Sequence, residues 1–283
     1  DQPHHKKIVL PMLLSELNFP SDRPVVMGIL NITPDSFADG GRFESFDLAL
    51  KRGLEMLREG VDIIDVGGES TRPGSRSVSS DVELRRVIPV IEALSTNGAV
   101  ISIDTKRANT ARMAIRAGAH IVNDVSAGLA DPEMLSVVAS LACPFIAMHS
   151  RGESADMQLR ALYNDVVGEV VTELHVRAKA SLAAGVLPEN LILDPGIGFA
   201  KESEHNWRIL NHLETFTSMG YPILIGASRK RFLGKLVGAE NTDERESATI
   251  ALTALLAKKG IWGVRVHSVK PHHDAIAVAR SMK

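Results

Sequence analysis

The chain has 283 residues, of which 45% are hydrophobic and 23% charged, proportions that suit a globular fold and exclude a disordered or fibrous chain. A formal net charge of -2 excludes a general nucleic-acid binder, which needs a basic face to meet many phosphates, so any anion site must be local. The longest stretch free of Asp, Glu, Lys and Arg runs from Met134 to Ser150, and Pro144 and His149 within it exclude a membrane-spanning helix there.

Residues 1–24 read as an N-terminal extension with early histidines and lysines, a short apolar run from Ile8 to Leu14 and no convincing cleavage pattern. Eight short apolar, β-branched runs follow: 25–32, 62–68, 100–105, 120–125, 144–150, 191–197, 222–228 and 263–269. Between and after them, amphipathic patterns predict helices near 44–59, 80–96, 106–117, 131–141, 163–185, 203–219, 243–260 and 271–282. Ser203 with Asn206, and Asp131 followed by Pro132, have the character of helix starts, and Asp81 falls in a first turn. The lone cysteine, Cys143, lies in an apolar neighbourhood and is expected in the core; with no partner for a disulfide or a thiolate cluster, it favours a reducing compartment and a cytoplasmic protein.

Eight alternating βα units predict a single α/β domain, residues 25–283, folded as a (β/α)8 TIM barrel. An open doubly wound sheet is the rival, but no G-x-G-x-x-G follows the first strand. Polar residues gather toward the carboxyl ends of the strands: Asn31, Asp65 with Glu69, Asp104, Asn123 with Asp124, His149, Asp194, Ser228 to Lys230, and Arg265 with His267. In a barrel those ends meet on one face, which places the active site there. Taken singly, a strand-end Asn is more often a turn former. Jointly, buried carboxylates at Asp104 and Asp194 require polar partners, because burying each without one costs on the order of 2–5 kcal/mol.

Eight sequence blocks stand in order along this scaffold. They are G-I-L-N-I-T-P-D-S-F-A-D-G-G at 28–41, D-V-G-G-E-S-T-R-P-G at 65–74, I-D-T at 103–105, V-N-D at 122–124, M-H-S-R-G at 148–152, L-D-P-G-I-G-F at 193–199, G-A-S-R-K-R-F-L-G at 226–234 and R-V-H-S-V at 265–269. Any one alone is weak, since Asp-Pro-Gly is also ordinary turn chemistry. Together, in this order and covering the chain from Val25 onward, they resemble the dihydropteroate synthase family of pterin-binding barrels.

That resemblance implies a transferase that joins 6-hydroxymethyl-7,8-dihydropterin diphosphate to p-aminobenzoate, with magnesium as cofactor, small-molecule substrates, and neither nucleic acid nor membrane as partner. By resemblance, Asp104, Asn123 and Asp194 bind the pterin's polar edges, Lys230 its carbonyl side, and Met148 and Phe199 supply apolar walls; Ile197 is either wall or core. Arg265 stacks on the ring and faces phosphate, Asn31 holds magnesium, and Thr71 and His267 join Arg265 on the diphosphate. Phe37, Thr71, Arg72, Pro73, Lys230 and Arg231 are the aminobenzoate candidates, with Arg72 and Arg231 equally readable as solvated arginines. Asp104, Lys230 and Asp35 are the catalytic candidates: Asp104 to stabilise a cationic pterin, Asp35 to position the amine. No Ser or Cys is paired with a positioned base, which agrees with a displacement needing no enzyme nucleophile.

The chain departs from the usual family pattern at Arg231, where a hydroxyl residue is common, at Ser268, where Asp is frequent, and at Ser150 in the central block. A pterin-binding methyltransferase shares the barrel, but the T-P-D-S-F, S-T-R-P-G and S-R-K-R-F blocks weigh against it; a non-catalytic paralogue would have lost site residues. His267, His272 and His273 also read as a transition-metal cluster, although hydration at a helix start explains the adjacent pair more simply. The family is usually a homodimer built from late helices, for which the apolar run Ala248 to Ala257 is a candidate, unless that run packs on the barrel instead.

Overall fold

Eight parallel strands form one sheet: β1 (Val25–Asn31), β2 (Ile63–Gly67), β3 (Ile101–Asp104), β4 (Ile121–Asp124), β5 (Phe145–Met148), β6 (Leu191–Asp194), β7 (Leu224–Ile225) and β8 (Gly263–Val266). The structure, a computed structural model, describes residues 12–32, 42–70, 77–152 and 156–282. Strand order is β6-β5-β4-β3-β2-β1-β8-β7, and a parallel bridge between Leu193 and Ile223 joins the two ends into a (β/α)8 barrel. Around it run α1 (Arg42–Arg58), α2 (Ser80–Ser95), α3 (Ala108–Ala117), α4 (Met134–Leu141), α5 (Val166–Ala183), α6 (Ser203–Asn211), α7 (Leu213–Thr217), α8 (Arg231–Val237), α9 (Glu246–Leu256) and α10 (Lys270–Ser281).

Side-chain alternation along the strands divides the interior by height. Val25, Met27, Ile63, Ile121, Ile146, Ile192 and Leu224 form an apolar cluster at the amino-terminal end of the barrel. Two or four residues further on, with the same parity, stand Asn31, Asp65, Asn123, Met148 and Asp194. Arg265, paired with Met27 and two residues beyond Gly263, and Asp104, opposite Asn123, share that inward parity. The other parity packs against the helices in the main core, where Val26, Ile64, Val122 and Leu193 sit. The lower cluster is closed by the segment before β1: Leu17 joins it, the Leu14 amide donates to Asn190 Oδ1 at 2.9 Å, and Phe19 meets Trp262 edge-on at 5.7 Å.

Several element boundaries differ from the sequence reading. The helix expected over 203–219 breaks at His212 (φ -125°, ψ 37°), and its N-cap is Glu202, not Ser203. Asn206 instead accepts from the Gly198 amide at 2.8 Å. Strand β7 keeps only two residues, and α8 is a seven-residue helix that the sequence did not announce. Asp131 caps two ends together, accepting from Glu133 N at 3.0 Å and from Ala108 N, the first amide of α3, at 2.8 Å.

Candidate active site

At the carboxyl ends of the strands the structure brings together a floor of acids under a cation. Arg265 on β8 donates through Nε to Asp65 Oδ2 at 2.6 Å and through Nη2 to Asp104 Oδ2 at 3.1 Å; Asn123 Nδ2 reaches the same Asp65 oxygen at 3.2 Å. Among the described residues, Asp65 Oδ1 and Asp104 Oδ1 are buried without a partner, as is Ser102 Oγ beneath them. Unmet buried acceptors are costly and mark a place where a donor-rich ligand belongs. Burial, and then the charge of Asp65, raises the Asp104 carboxyl, while Arg265 opposes the rise. Gly67 leaves this floor open: a Cβ there would come within 3.2 Å of Asn31 Oδ1 and 3.5 Å of Asp104 Cβ.

Across the barrel, Asp194 ends β6 and accepts from the Gly196 amide at 2.7 Å. Burial raises its carboxyl; that amide and then the Lys230 charge work against the rise. Lys230 donates to the Ile197 carbonyl and lies 4.7 Å from the centre of the Phe199 ring. Burial pushes its ammonium down to about 7. Met148 is buried at the end of β5 and Ile197 lies fully in the core, so the Ile197 side chain packs rather than lining a wall. Phe199, Lys230, Arg265, Asn31 and His267 all line one pocket of about 520 Å³. Asp104, Asn123 and Asp194 are 4–5% exposed, with Arg265 laid against the first of them.

His267 is oriented by Ser228, whose Oγ is 2.8 Å from its Nδ1 and accepts from its backbone amide at 3.2 Å. Arg231 begins α8, exposed at the pocket's rim. Asp35, Phe37, Thr71, Arg72 and Pro73 lie outside the described residues. Asp124 and Glu69, grouped with the strand-end polar residues in sequence, do other work. Asp124 accepts from Ser126 and Gly128 in the β4–α4 turn, and Glu69 from the Val78 amide and Arg107. Hydration does not describe His272, which is fully buried between Thr253 Oγ1 at 2.8 Å and Glu246 Oε1 at 3.1 Å; His273 faces the Gly60 carbonyl at 2.8 Å. Among the described residues no three His, Cys, Asp or Glu are placed to hold a metal, and no helix is long and apolar enough to cross a membrane.

The sequence reading named one residue that shapes the site, Asp65, without its role, and missed two others, Gly226 and Lys201. Asp65, the main partner of Arg265, was legible as a strand-end acid, but its pairing follows from sharing parity with Gly67 and Asn123. Gly226 leaves room between Arg265 Cβ, Asp194 Oδ2 and Lys230 Nζ, each about 4 Å from where a Cβ would stand. Lys201 is 3% exposed and lines the pocket, although lysines ordinarily read as surface.

A closed barrel whose strand ends present buried, donor-seeking carboxylates on one side and Arg265, His267 and Lys230 on the other defines a class: a barrel enzyme for a flat, N–H-rich ligand carrying an anion. The family model described as "Pterin binding enzyme" matches residues 27–267. Dihydropteroate synthase of Mycobacterium leprae is 49% identical over 259 residues, 89% of this chain and 91% of that protein. The Xanthomonas albilineans dihydropteroate synthase structure with 4-aminobenzoic acid superposes with a TM-score of 0.89 at 41% identity, covering 96% of this chain and 97% of that one. That enzyme's complex with 7,8-dihydropteroate gives a TM-score of 0.85 at 39% identity over 93% and 95% of the two chains. The chain belongs to the dihydropteroate synthase family of pterin-binding enzymes.

Proposed function

We propose that this chain joins 6-hydroxymethyl-7,8-dihydropterin diphosphate to p-aminobenzoate, giving 7,8-dihydropteroate and diphosphate. The observation that carries the reading is the pair of buried oxygens, Asp65 Oδ1 and Asp104 Oδ1, with no partner among the described residues, beside Asn123 and with Asp194 across the barrel. A reduced pterin presents adjacent ring and exocyclic N–H donors that suit such acceptors. In this assignment Asp104, Asn123 and Asp194 hold the ring, Lys230 meets its carbonyl, and Met148 and Phe199 flank it. Arg265, His267 and Thr71 face the diphosphate, while Phe37, Thr71, Arg72, Pro73, Lys230 and Arg231 form the aminobenzoate side.

The C–O bond at the pterin methylene breaks first and diphosphate departs with the electron pair. Positive charge spreads over the pterin, which Asp104 stabilises; Asp35 positions the arylamine, whose nitrogen then bonds the methylene carbon and releases its proton. The Arg265 guanidinium and the His267 imidazole meet the charge that builds on the leaving group. Magnesium fits the donor set as a hard cation held mostly by phosphate and water oxygens, since the described residues offer the amide oxygen of Asn31 and no carboxylate cage. When bound, the ion would neutralise diphosphate charge. A cytoplasmic homodimer completes the proposal, supported by the buried free thiol of Cys143 and by apolar side chains exposed on the late helices.

Purified chain, given dihydropterin-methyl diphosphate and p-aminobenzoate, is expected to form dihydropteroate and release diphosphate only with magnesium present. Tight pterin binding without product would favour the methyltransferase or non-catalytic reading instead.

A further inference from the structure

The β6–α6 turn, residues 194–201, carries both Asp194 and Phe199, and its four last carbonyls before Lys201 are each met by a side-chain donor. Ile197 O accepts from Lys230 Nζ, Gly198 O from Gln158 Nε2 at 3.0 Å, Phe199 O from Lys201 Nζ at 2.9 Å, and Ala200 O from Tyr163 Oη at 2.9 Å. The backbone is under constraint: Ala200 holds φ at 48°, and a Cβ on Gly196 (φ 72°) would come within 1.9 Å of the His149 carbonyl oxygen. The turn is thus pressed onto the end of β5, and Lys201 Nζ sits at the seam, 2.8 Å from His149 Nδ1.

From His149 the contacts run outward and return. Its Nε2 is 2.7 Å from Glu173 Oε2; Glu173 also accepts from Arg151 Nε at 3.2 Å; the Arg151 guanidinium lies 4.0 Å from the centre of the Tyr163 ring, and Tyr163 holds Ala200 O. With Lys201 donating to Nδ1, the imidazole proton is on Nε2 and goes to Glu173. Burial keeps His149 neutral, its ring pushed down to about 4. A lysine 3% exposed is an expensive way to fill space.

We propose that Lys201, seated on His149, is a positioning residue for pterin recognition: it fixes the Phe199 carbonyl and so the orientation of Phe199 and Asp194 toward the ring. This rests on the substrate assignment above. Removing the Lys201 donor leaves His149 Nδ1 and the Phe199 carbonyl short of a partner whether the lysine is structural or positioning, so pterin affinity, set against the aminobenzoate KM and the two His149 variants, separates the roles.

The test is calorimetric binding of dihydropterin-methyl diphosphate with magnesium, together with steady-state kinetics and melting curves. Lys201→Met is expected to remain folded with a lower melting temperature, to weaken pterin binding about ten-fold and to leave the KM for p-aminobenzoate within about two-fold. His149→Asn keeps an amide oxygen where Nδ1 stood and should bind pterin like the wild type. His149→Gln keeps only the Glu173 side and should reproduce the lysine variant's loss. Unchanged pterin affinity in Lys201→Met, or the reverse order of the two His149 variants, overturns the role while wild-type turnover stands. A wild-type chain that neither binds pterin nor turns over overturns the substrate assignment, and this inference with it.

Discussion

Lys230 is placed under opposed demands. Its ammonium, ordinarily near 10.5, is pushed down to about 7 by burial, against the pull of Asp194. Between those values the unfolded chain holds a proton that the folded chain does not, so this residue makes stability rise with pH across that window. Below about 7 the folded protein must keep a buried charge. Lys230→Met is therefore expected to melt higher than the wild type, by roughly 2–4 °C for each kcal/mol gained in a chain of this size, with a larger gain at pH 6 than at pH 10. Turnover should fall on the order of 100-fold, as it does when a single donor to a reacting group is lost. A variant that melts lower at both pH values would show that Lys230 contributes packing rather than a charge held for ligand. Cys143 is the opposite case, a buried thiol raised to about 12 with no chemistry in reach, which is how an apolar neighbourhood in the sequence reads.

At the scale of elements, Arg107 ties two βα units, β2–α2 and β3–α3. It precedes α3 and donates through Nη1 to Glu83 Oε2 at 2.8 Å and through Nη2 to Glu69 Oε2 at 2.8 Å and Ser77 Oγ at 2.9 Å. Thr105 and Thr110 complete Glu83 at 2.7 and 2.9 Å. Glu69 and Glu83 are 6% and 1% exposed, so Arg107→Met would leave Glu83 with hydroxyl donors and no cation and Glu69 with Lys106 alone, at a cost of about 3 kcal/mol. The expected signature is a lower urea midpoint with an unchanged slope, since the native surface stays the same; a midpoint within error of the wild type would show that water replaces the arginine. None of this network was legible in sequence, because an acid in the first turn of α2 reads as a solvated dipole partner and its cation lies 24 positions away. What was legible follows from periodicity: the eight strands and most helices carry their own pattern. β7 was read from the run 222–228 and keeps two of its residues, a seven-residue helix such as α8 is too short to express a pattern, and the break at His212 interrupts one that continues in sequence.

For the whole molecule, closure of the barrel turns local alternation into a site: apolar inward residues at the amino-terminal end, polar ones two or four residues on. That is why Asn31, Asp104, Asn123, Asp194 and Arg265 could be grouped from sequence, and why their mutual contacts, which need the register, could not. The same logic applies outside. The run from Ala248 to Ala257 was readable either as interface or as barrel packing, and α9 divides it. Thr249, Leu252, Thr253 and Leu256 face inward, while Leu255 remains 66% exposed. On α10, packed against α9, Val278 is 62% exposed, and on α8 Leu236 and Val237 are 66% and 51% exposed. Burying a Leu or Val fully yields about 1.5–3 kcal/mol each, so these late helices together offer enough apolar surface to contribute to a two-fold interface. The wild type is expected to sediment as a dimer, and Leu255→Glu with Val278→Glu as a monomer, because carboxylates cannot be buried there unpaired. Turnover per chain should survive, since neither residue lines the pocket. A wild type that sediments as a monomer at micromolar concentration would assign this face to solvent, and a double variant that remains dimeric would move the interface to another side of the barrel.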